Sequence, residues 1–197
     1  MKSPLLVGIT GGIGAGKSIV CKIFQALGTP IYDADSRAKW LMNYDASLKE
    51  KIVNLFGPMS YIDGQLNREL IGKNAFGNPE LLAQLNGLVH PAVAKDFEEF
   101  VKTNSTKKYV LKEAALLIET GSYRALDHLI VITAPLDIRI ERVQTRDTHR
   151  SKADIESIIS KQLSDDERIQ KADTVINNDG NSLLIPQVLK LHEQFSK

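Results

Sequence analysis

The residues Gly11-Gly12-Ile13-Gly14-Ala15-Gly16-Lys17-Ser18 spell G-x-x-x-x-G-K-[ST], a spacing suited to holding the phosphates of a nucleotide. Glycines admit backbone angles closed to other residues, so N–H groups can converge on phosphate oxygens, and the start of a following helix adds partial positive charge. Lys17 is placed to bring an ammonium to the β- and γ-phosphates, and the Ser18 hydroxyl to ligate Mg²⁺. The predicted chemistry is binding of Mg·ATP and passage of its γ-phosphate to a small-molecule hydroxyl. A Gly-rich turn that merely joins a strand to a helix is the plain alternative, and the complete motif in a strand-to-helix context argues against it.

An acceptor needs its own chemistry. Asp33-Ala34-Asp35 follows the short apolar segment Pro30 to Tyr32, which puts a carboxylate at the carboxyl end of a predicted parallel strand. There it can orient or deprotonate an attacking hydroxyl, or it can cap a helix. The expectation gives Asp33 to the acceptor and Asp35 to the cap of a helix starting near Ser36. Arg139, Arg142, Arg146 and Arg150 recur at helical spacing, so a continuous helix would carry them on one face. Arg142 and Arg146 are expected to clamp phosphates, and Arg139 and Arg150 to sit on a solvated face near Glu141 and Asp147. His90 before Pro91 is read as the end of a helical pattern, a turn or packing residue. Tyr32, Trp40, Phe76 and Tyr123 are read as core aromatics with an acceptor pocket as the alternative, and Cys21 as a small buried hydrophobe rather than a redox sensor. No His and Cys cluster has metal-ligand spacing.

The elements that must position these groups alternate. Leu5 to Ile9 is a short apolar run fit for a strand buried on both faces, and from Lys17 the apolar residues Val20, Ile23, Phe24 and Leu27 fall on one helical stripe closed by Gly28. Further strands are predicted at Tyr109 to Leu111, Leu129 to Thr133 and Thr174 to Ile176. The class that follows is α/β, a three-layer P-loop NTPase fold on a five-stranded parallel sheet. Its nucleotide-binding core takes in about 1–33, 105–144 and 171–197, with a helical substrate-binding insertion over about 34–104 and a small helical lid over about 145–170. These are read as parts of a single domain.

Twenty-five basic against 24 acidic side chains leave a net charge of +1, so no electrostatic excess recruits nucleic acid or an anionic membrane, and neither is expected as a partner. One cysteine suits a reducing compartment, and no apolar run approaches a membrane span or a signal peptide. A cytoplasmic protein, monomeric by default, is the expectation. No Asn-Lys-x-Asp guanine-reading segment occurs, which disfavours a nucleotide-dependent regulatory switch; a nucleoside or nucleoside-monophosphate kinase remains a competing reading.

The chain resembles the dephospho-CoA kinase family nearly end to end. The likeness runs through Gly8 to Ser18, Leu27-Gly28, Asp33-Ala34-Asp35, Leu66-Asn67-Arg68, His90-Pro91 and Leu116-Leu117-Ile118-Glu119, then Arg142 through Arg146-Asp147, Gln162, Ala172-Asp173 and Val175-Ile176-Asn177-Asn178. The resemblance implies ATP as donor with Mg²⁺, dephospho-CoA as acceptor, and transfer to its ribose 3′-hydroxyl to give coenzyme A. It also implies Thr10 and Asp33 as acceptor-site groups, Arg68, His90 and Glu119 as pocket residues, and Arg142 and Arg146 as lid arginines. Three positions depart from the family's pattern. Ile19, counted with the nucleotide-binding segment, replaces a threonine; Ala115 replaces a proline before Leu-Leu; and Asn67 replaces an aspartate before Arg68.

Overall fold

The computed structural model describes residues 3–197, the side chain of Phe76 excepted, so the expectation placed on that aromatic lies outside the described residues. The chain divides into two compact units, one running to Tyr32 and resuming at Asn104–Lys197, the other Asp33–Thr103.

The first unit is built on β1 (Leu5–Thr10), β2 (Ile31–Asp33), β5 (Tyr109–Glu113), β6 (His128–Thr133) and β7 (Thr174–Asn177). They form a five-stranded parallel sheet in the order β2-β5-β1-β6-β7, with Val7 of β1 beside Leu111 on one flank and beside His128 on the other. The α/β class and the parallel sheet read from the sequence are those observed. β1 is central because it is apolar up to Thr10: Val7 and Ile9 have no exposed surface, and each such side chain contributes about 1.5–3 kcal/mol by leaving water. Helices α1 (Lys17–Ala26) and α9 (Leu184–Phe195) cover the sheet, with Val20, Cys21 and Phe24 of α1 and Val188, Leu191 and Phe195 of α9 in one cluster with Val7, Ile9, Leu111, Ile130 and Ile132. Cys21 is thus a core hydrophobe. Gly28, at φ 83°, closes α1 as its C′ residue.

After β6 come α6 (Leu136–Arg146), α7 (Lys152–Ser160) and α8 (Asp165–Ile169). α7 lies on α6 through Ile155 against Ile140 and Val143, and the side chain of Ile13, from the phosphate loop, joins that cluster. α7 and α8 each begin with a capping box: Ser151 with Asp154, and Ser164 with Glu167. α6 stops at Arg146, so Arg150 falls beyond the helix and the four arginines do not share one helical face.

The second unit comprises α2 (Ala34–Tyr44), α3 (Ala46–Phe56), α4 (Arg68–Phe76), α5 (Pro79–Thr103) and the hairpin of β3 (Tyr61–Ile62) with β4 (Gln65–Leu66). Its core is Leu41, Leu48, Ile52, Ile71, Leu85 and Val89. The hairpin turns on Asp63-Gly64, both at positive φ, as a tight two-residue connection requires. Asn67 caps α4 by accepting from the Leu70 N–H at 3.1 Å, a task that aspartate and asparagine perform alike. His90-Pro91 does not end a helix: α5 runs through it for 25 residues. Proline forgoes only the bond from its missing N–H to the carbonyl of Gly87, and burial of Val89 and Phe97 on either side holds the helix together.

Candidate active site

Three carbonyls of the loop leaving β1 are held by side chains. Lys17 Nζ donates to Gly11 O at 2.9 Å, Arg139 Nε to Ile13 O at 2.9 Å, and Asn178 Nδ2 to Ala15 O at 2.8 Å. By contrast, the N–H groups of Gly14, Gly16 and Ser18 donate to no described residue. Unpaired donors at the first turn of a helix form a ready anion site. The glycines are required by space as much as by angle. Gly14 and Gly16 have φ 78° and 99°, and a Cβ on them would meet the backbone of Arg139 and the carboxamide of Asn178.

A cleft of about 190 Å³ opens here, bordered by Gly14, Gly16, Lys17, Ser18, Arg142 and Arg146. It gathers the motif residues and the two arginines expected to clamp phosphates. Arg142 donates to Asn178 Oδ1 at 3.2 Å, and its buried Nη1 has no partner. Arg146 grips Asp147 through two bonds, at 3.0 and 2.9 Å, and that contact holds the Asp147 carboxyl below the ordinary carboxylate range. Arg150 pairs with the same carboxylate at 3.4 Å. Ile19 is half exposed beside the loop.

Arg139 is not on a solvated face. It is 5% exposed, held by Ile13 O and by Asp165 at 3.1 and 3.2 Å. Asp165 in turn binds the wholly buried Arg168, which reaches Glu119 at 3.1 Å. This ionic chain and Asn178's hold on the loop are what residue-level reading of the sequence missed, because every contact but that of Asp165 with Arg168 joins residues distant in sequence. Gln162, noted only through the family resemblance, accepts the Ile13 N–H at 3.0 Å.

The remaining site residues are distributed between the units. Thr10, with no exposed surface, donates to Ala115 O at 3.2 Å, and Glu119 is the counter-ion of Arg168. In the second unit Asp33, not Asp35, caps the helix: α2 starts at Ala34, and the Asp33 carboxylate accepts the Ser36 N–H at 2.9 Å and hydroxyl at 2.6 Å. Arg68 opens α4 and His90 lies midway along α5, both exposed. A cavity of about 360 Å³ in this unit is lined by residues including Leu41, Leu48, Lys51, Pro91 and Lys95. Trp40 is exposed beneath Arg37, whose guanidinium carbon lies 4.4 Å from its ring centre, whereas Tyr32 is buried. Lys112 on β5 is a buried cation whose pKa burial pushes down.

Mg²⁺ fits the donor set in one respect: the exposed Ser18 hydroxyl on the cleft is a hard oxygen ligand. Among the described residues no group of three His, Cys, Asp or Glu could hold a metal ion, so the ion's other ligands would be phosphate oxygens and water.

A cradle of free N–H groups at the carboxyl edge of the central strand, with a lysine and two arginines on one cleft, defines a P-loop kinase. Relatives place it more narrowly. The model of the dephospho-CoA kinase family matches residues 5–183, and the chain belongs to that family. It is 35% identical to the dephospho-CoA kinase of Bacteroides fragilis over 185 residues, 94% of this chain and 90% of that protein. Among solved structures, TT1252 from Thermus thermophilus superposes with a TM-score of 0.87 at 30% identity, covering 98% of both chains. Dephospho-CoA kinase from Campylobacter jejuni superposes with a TM-score of 0.71 at 26% identity, covering 97% of this chain and 96% of that one.

Proposed function

We propose that this chain transfers the γ-phosphate of ATP to the ribose 3′-hydroxyl of dephospho-CoA, releasing coenzyme A and ADP, the last step of coenzyme A synthesis. The observation that carries the reading is the cradle of Gly14, Gly16 and Ser18 N–H groups beside Lys17, Arg142 and Arg146, in a chain matched by the family over residues 5–183.

The residues divide the work as follows. Gly11 to Ser18 wrap the phosphates, and Lys17 exchanges the Gly11 carbonyl for their oxygens. Ser18 would hold Mg²⁺, which, when bound, neutralises charge on the β- and γ-phosphates. Arg142, whose Nη1 is unpaired, stabilises charge on the transferring group, and Arg146 joins it by releasing Asp147. Asp33 orients the acceptor hydroxyl and takes its proton, since an ionised carboxylate has about four lone-pair sites and Ser36 uses two. Thr10, Arg68, His90 and Glu119 belong to the acceptor side, the helical insertion over about 34–104 receives the CoA moiety, and about 145–170 closes over the nucleotide as a lid. The reaction is placed in the cytoplasm, with a monomer as the default working species. No described helix is long and apolar enough to cross a membrane.

The test is to offer Mg·ATP with dephospho-CoA, nucleosides and nucleoside monophosphates, following ADP release and product mass. One added phosphoryl group on dephospho-CoA supports the proposal. Turnover of a nucleoside or nucleoside monophosphate alone would replace the acceptor, and nucleotide binding without any transfer would favour a regulatory switch.

A further inference from the structure

The held carbonyls of the loop carry a stereochemical consequence. A peptide group is planar, and no cis peptide occurs among the described residues, so the C=O of one residue and the N–H of the next point in opposite directions. The carbonyl of Ile13 shares its peptide with the N–H of Gly14, and the carbonyl of Ala15 shares its peptide with the N–H of Gly16. Whatever fixes Ile13 O and Ala15 O from outside therefore fixes where two cradle donors aim. Those anchors are Arg139 and Asn178, from α6 and from the residue after β7.

We propose that Arg139 and Asn178 are positioning residues of the phosphate site, Arg139 aiming the Gly14 N–H and Asn178 the Gly16 N–H. Three features separate them from ordinary packing residues. Both are nine-tenths or more buried, and each is itself held: Arg139 by Asp165, and Asn178 by Arg142, which takes Oδ1 and so leaves Nδ2 for Ala15. Both fill space that the loop's glycines vacate: a Cβ at Gly12 would overlap the Arg139 guanidinium, and one at Gly16 the Asn178 carboxamide. Lys17 plays the same part toward Gly11 O, but its ammonium must turn to the phosphates, so it is an exchangeable anchor where the other two are permanent. Glycines alone leave the loop free to turn its peptides either way. Two distant side chains remove that freedom before the ligand arrives, which is preorganisation in the sense that raises affinity without adding a contact.

This inference rests on the reading of the loop as a nucleotide site and is independent of the acceptor. The experiment is an amide NMR titration of the whole chain with ADP and with inorganic pyrophosphate, beside calorimetric affinities. In the wild type both ligands should move the Gly14 and Gly16 N–H signals downfield. Asn178→Leu should abolish the Gly16 shift while Gly14 keeps its own, and Arg139→Met should do the reverse. Hydrogen bonds to charged groups are worth about 1.5–3 kcal/mol, so each variant should weaken ADP by roughly ten- to a hundredfold. Arg139→Lys keeps the buried charge beside Asp165 but cannot reach both partners as a fork does, and should lose Gly14's shift in a folded protein even if Arg139→Met does not fold. If the wild-type signals stay still on ADP binding, or if folded variants lower melting temperature while both shifts and ADP affinity persist, the positioning role is wrong and the side chains are merely structural. Failure of the wild type to bind ADP would overturn the nucleotide reading itself, and failure only with dephospho-CoA would not touch this one.

Discussion

Arg168 donates to Glu119 at 3.1 Å across 49 positions of sequence, and no part of the Arg168 side chain reaches solvent. Removing Glu119, the exposed partner of this buried guanidinium, is costly because the charge left behind has little water to turn to. With Asp165 still at 3.3 Å, Glu119→Ala should destabilise the protein by about 3 kcal/mol, the low end for such a break. Its melting temperature should fall on the order of 10 °C, and Glu119→Gln, which keeps an acceptor oxygen, should fall less. A melting temperature unchanged in Glu119→Ala would remove the ion pair from the protein's stability and leave Glu119 its acceptor-side role alone.

Asp33 has two duties that substitutions can separate. In Asp33→Asn the new carboxamide would still cap α2, since asparagine accepts the Ser36 N–H as well as aspartate does, but it offers no carboxylate for the acceptor proton. Asp33→Asn should therefore melt like the wild type, bind ATP normally and lose about 10²- to 10⁴-fold in kcat. Asp33→Ala should add a stability loss of about 1 kcal/mol. Calorimetry and steady-state kinetics on the two variants decide the matter, and an Asp33→Asn enzyme of full kcat would leave capping as the residue's only function.

Lys17→Met removes the ammonium that lies 2.9 Å from Gly11 O and borders the cleft. Loss of a charge stabiliser aimed at the transferring group costs on the order of 10²–10³ in kcat. Single-turnover transfer should show that loss, with a smaller effect on adenosine-moiety contacts, and undiminished transfer would remove Lys17 from the chemistry.

Acid should loosen α7 and α8 first. The Asp154 and Glu167 carboxyls are exposed, and hydrogen bonds from Ser151 and Ser164, foremost those of the serine side chains, hold both below their ordinary values of 3.8 and 4.5. A depressed carboxyl contributes stability that is complete above its unfolded value and is lost as pH falls through the folded one. The protection factors of the first-turn amides in both helices, with intrinsic exchange rates divided out, should thus fall below about pH 4.5, earlier than those of β1. Asp154→Asn and Glu167→Gln should flatten that dependence, and an unaltered profile in the two variants would assign the acid response elsewhere.

What was readable in the sequence was what local chemistry dictates. The phosphate loop demands glycines at fixed offsets whatever surrounds it, β1 is a run that only a two-sided burial explains, and α1 shows its buried face as a stripe. Arg139 was misplaced because an arginine on an amphipathic helix is ordinarily solvated, and nothing near it in sequence announces Ile13 or Asp165 as partners. The exchange of Asp33 for Asp35 as the cap came from a helix start displaced by two residues, within which one carboxylate looks like another. Pro91 read as a stop because the punctuating effect of proline is local, whereas the burial of Val89 and Phe97 that overrides it is tertiary. Asn178 entered only through the family resemblance, and nothing beside it in sequence announces Ala15 as its partner.

The strands β2 and β5 are neighbours in the sheet, yet residues 34–108 lie between them in the chain. Contacts inside that segment close shorter loops than the pairing of β2 with β5 does, even Arg37 with Asp96 across 59 positions, and it is the longest closures that slow folding. The helical segment can therefore condense on its own schedule, and once compact it brings its two ends nearer than a disordered stretch of equal length would. The order of assembly is thereby biased: the interrupting segment first, the edge strand of the sheet afterwards.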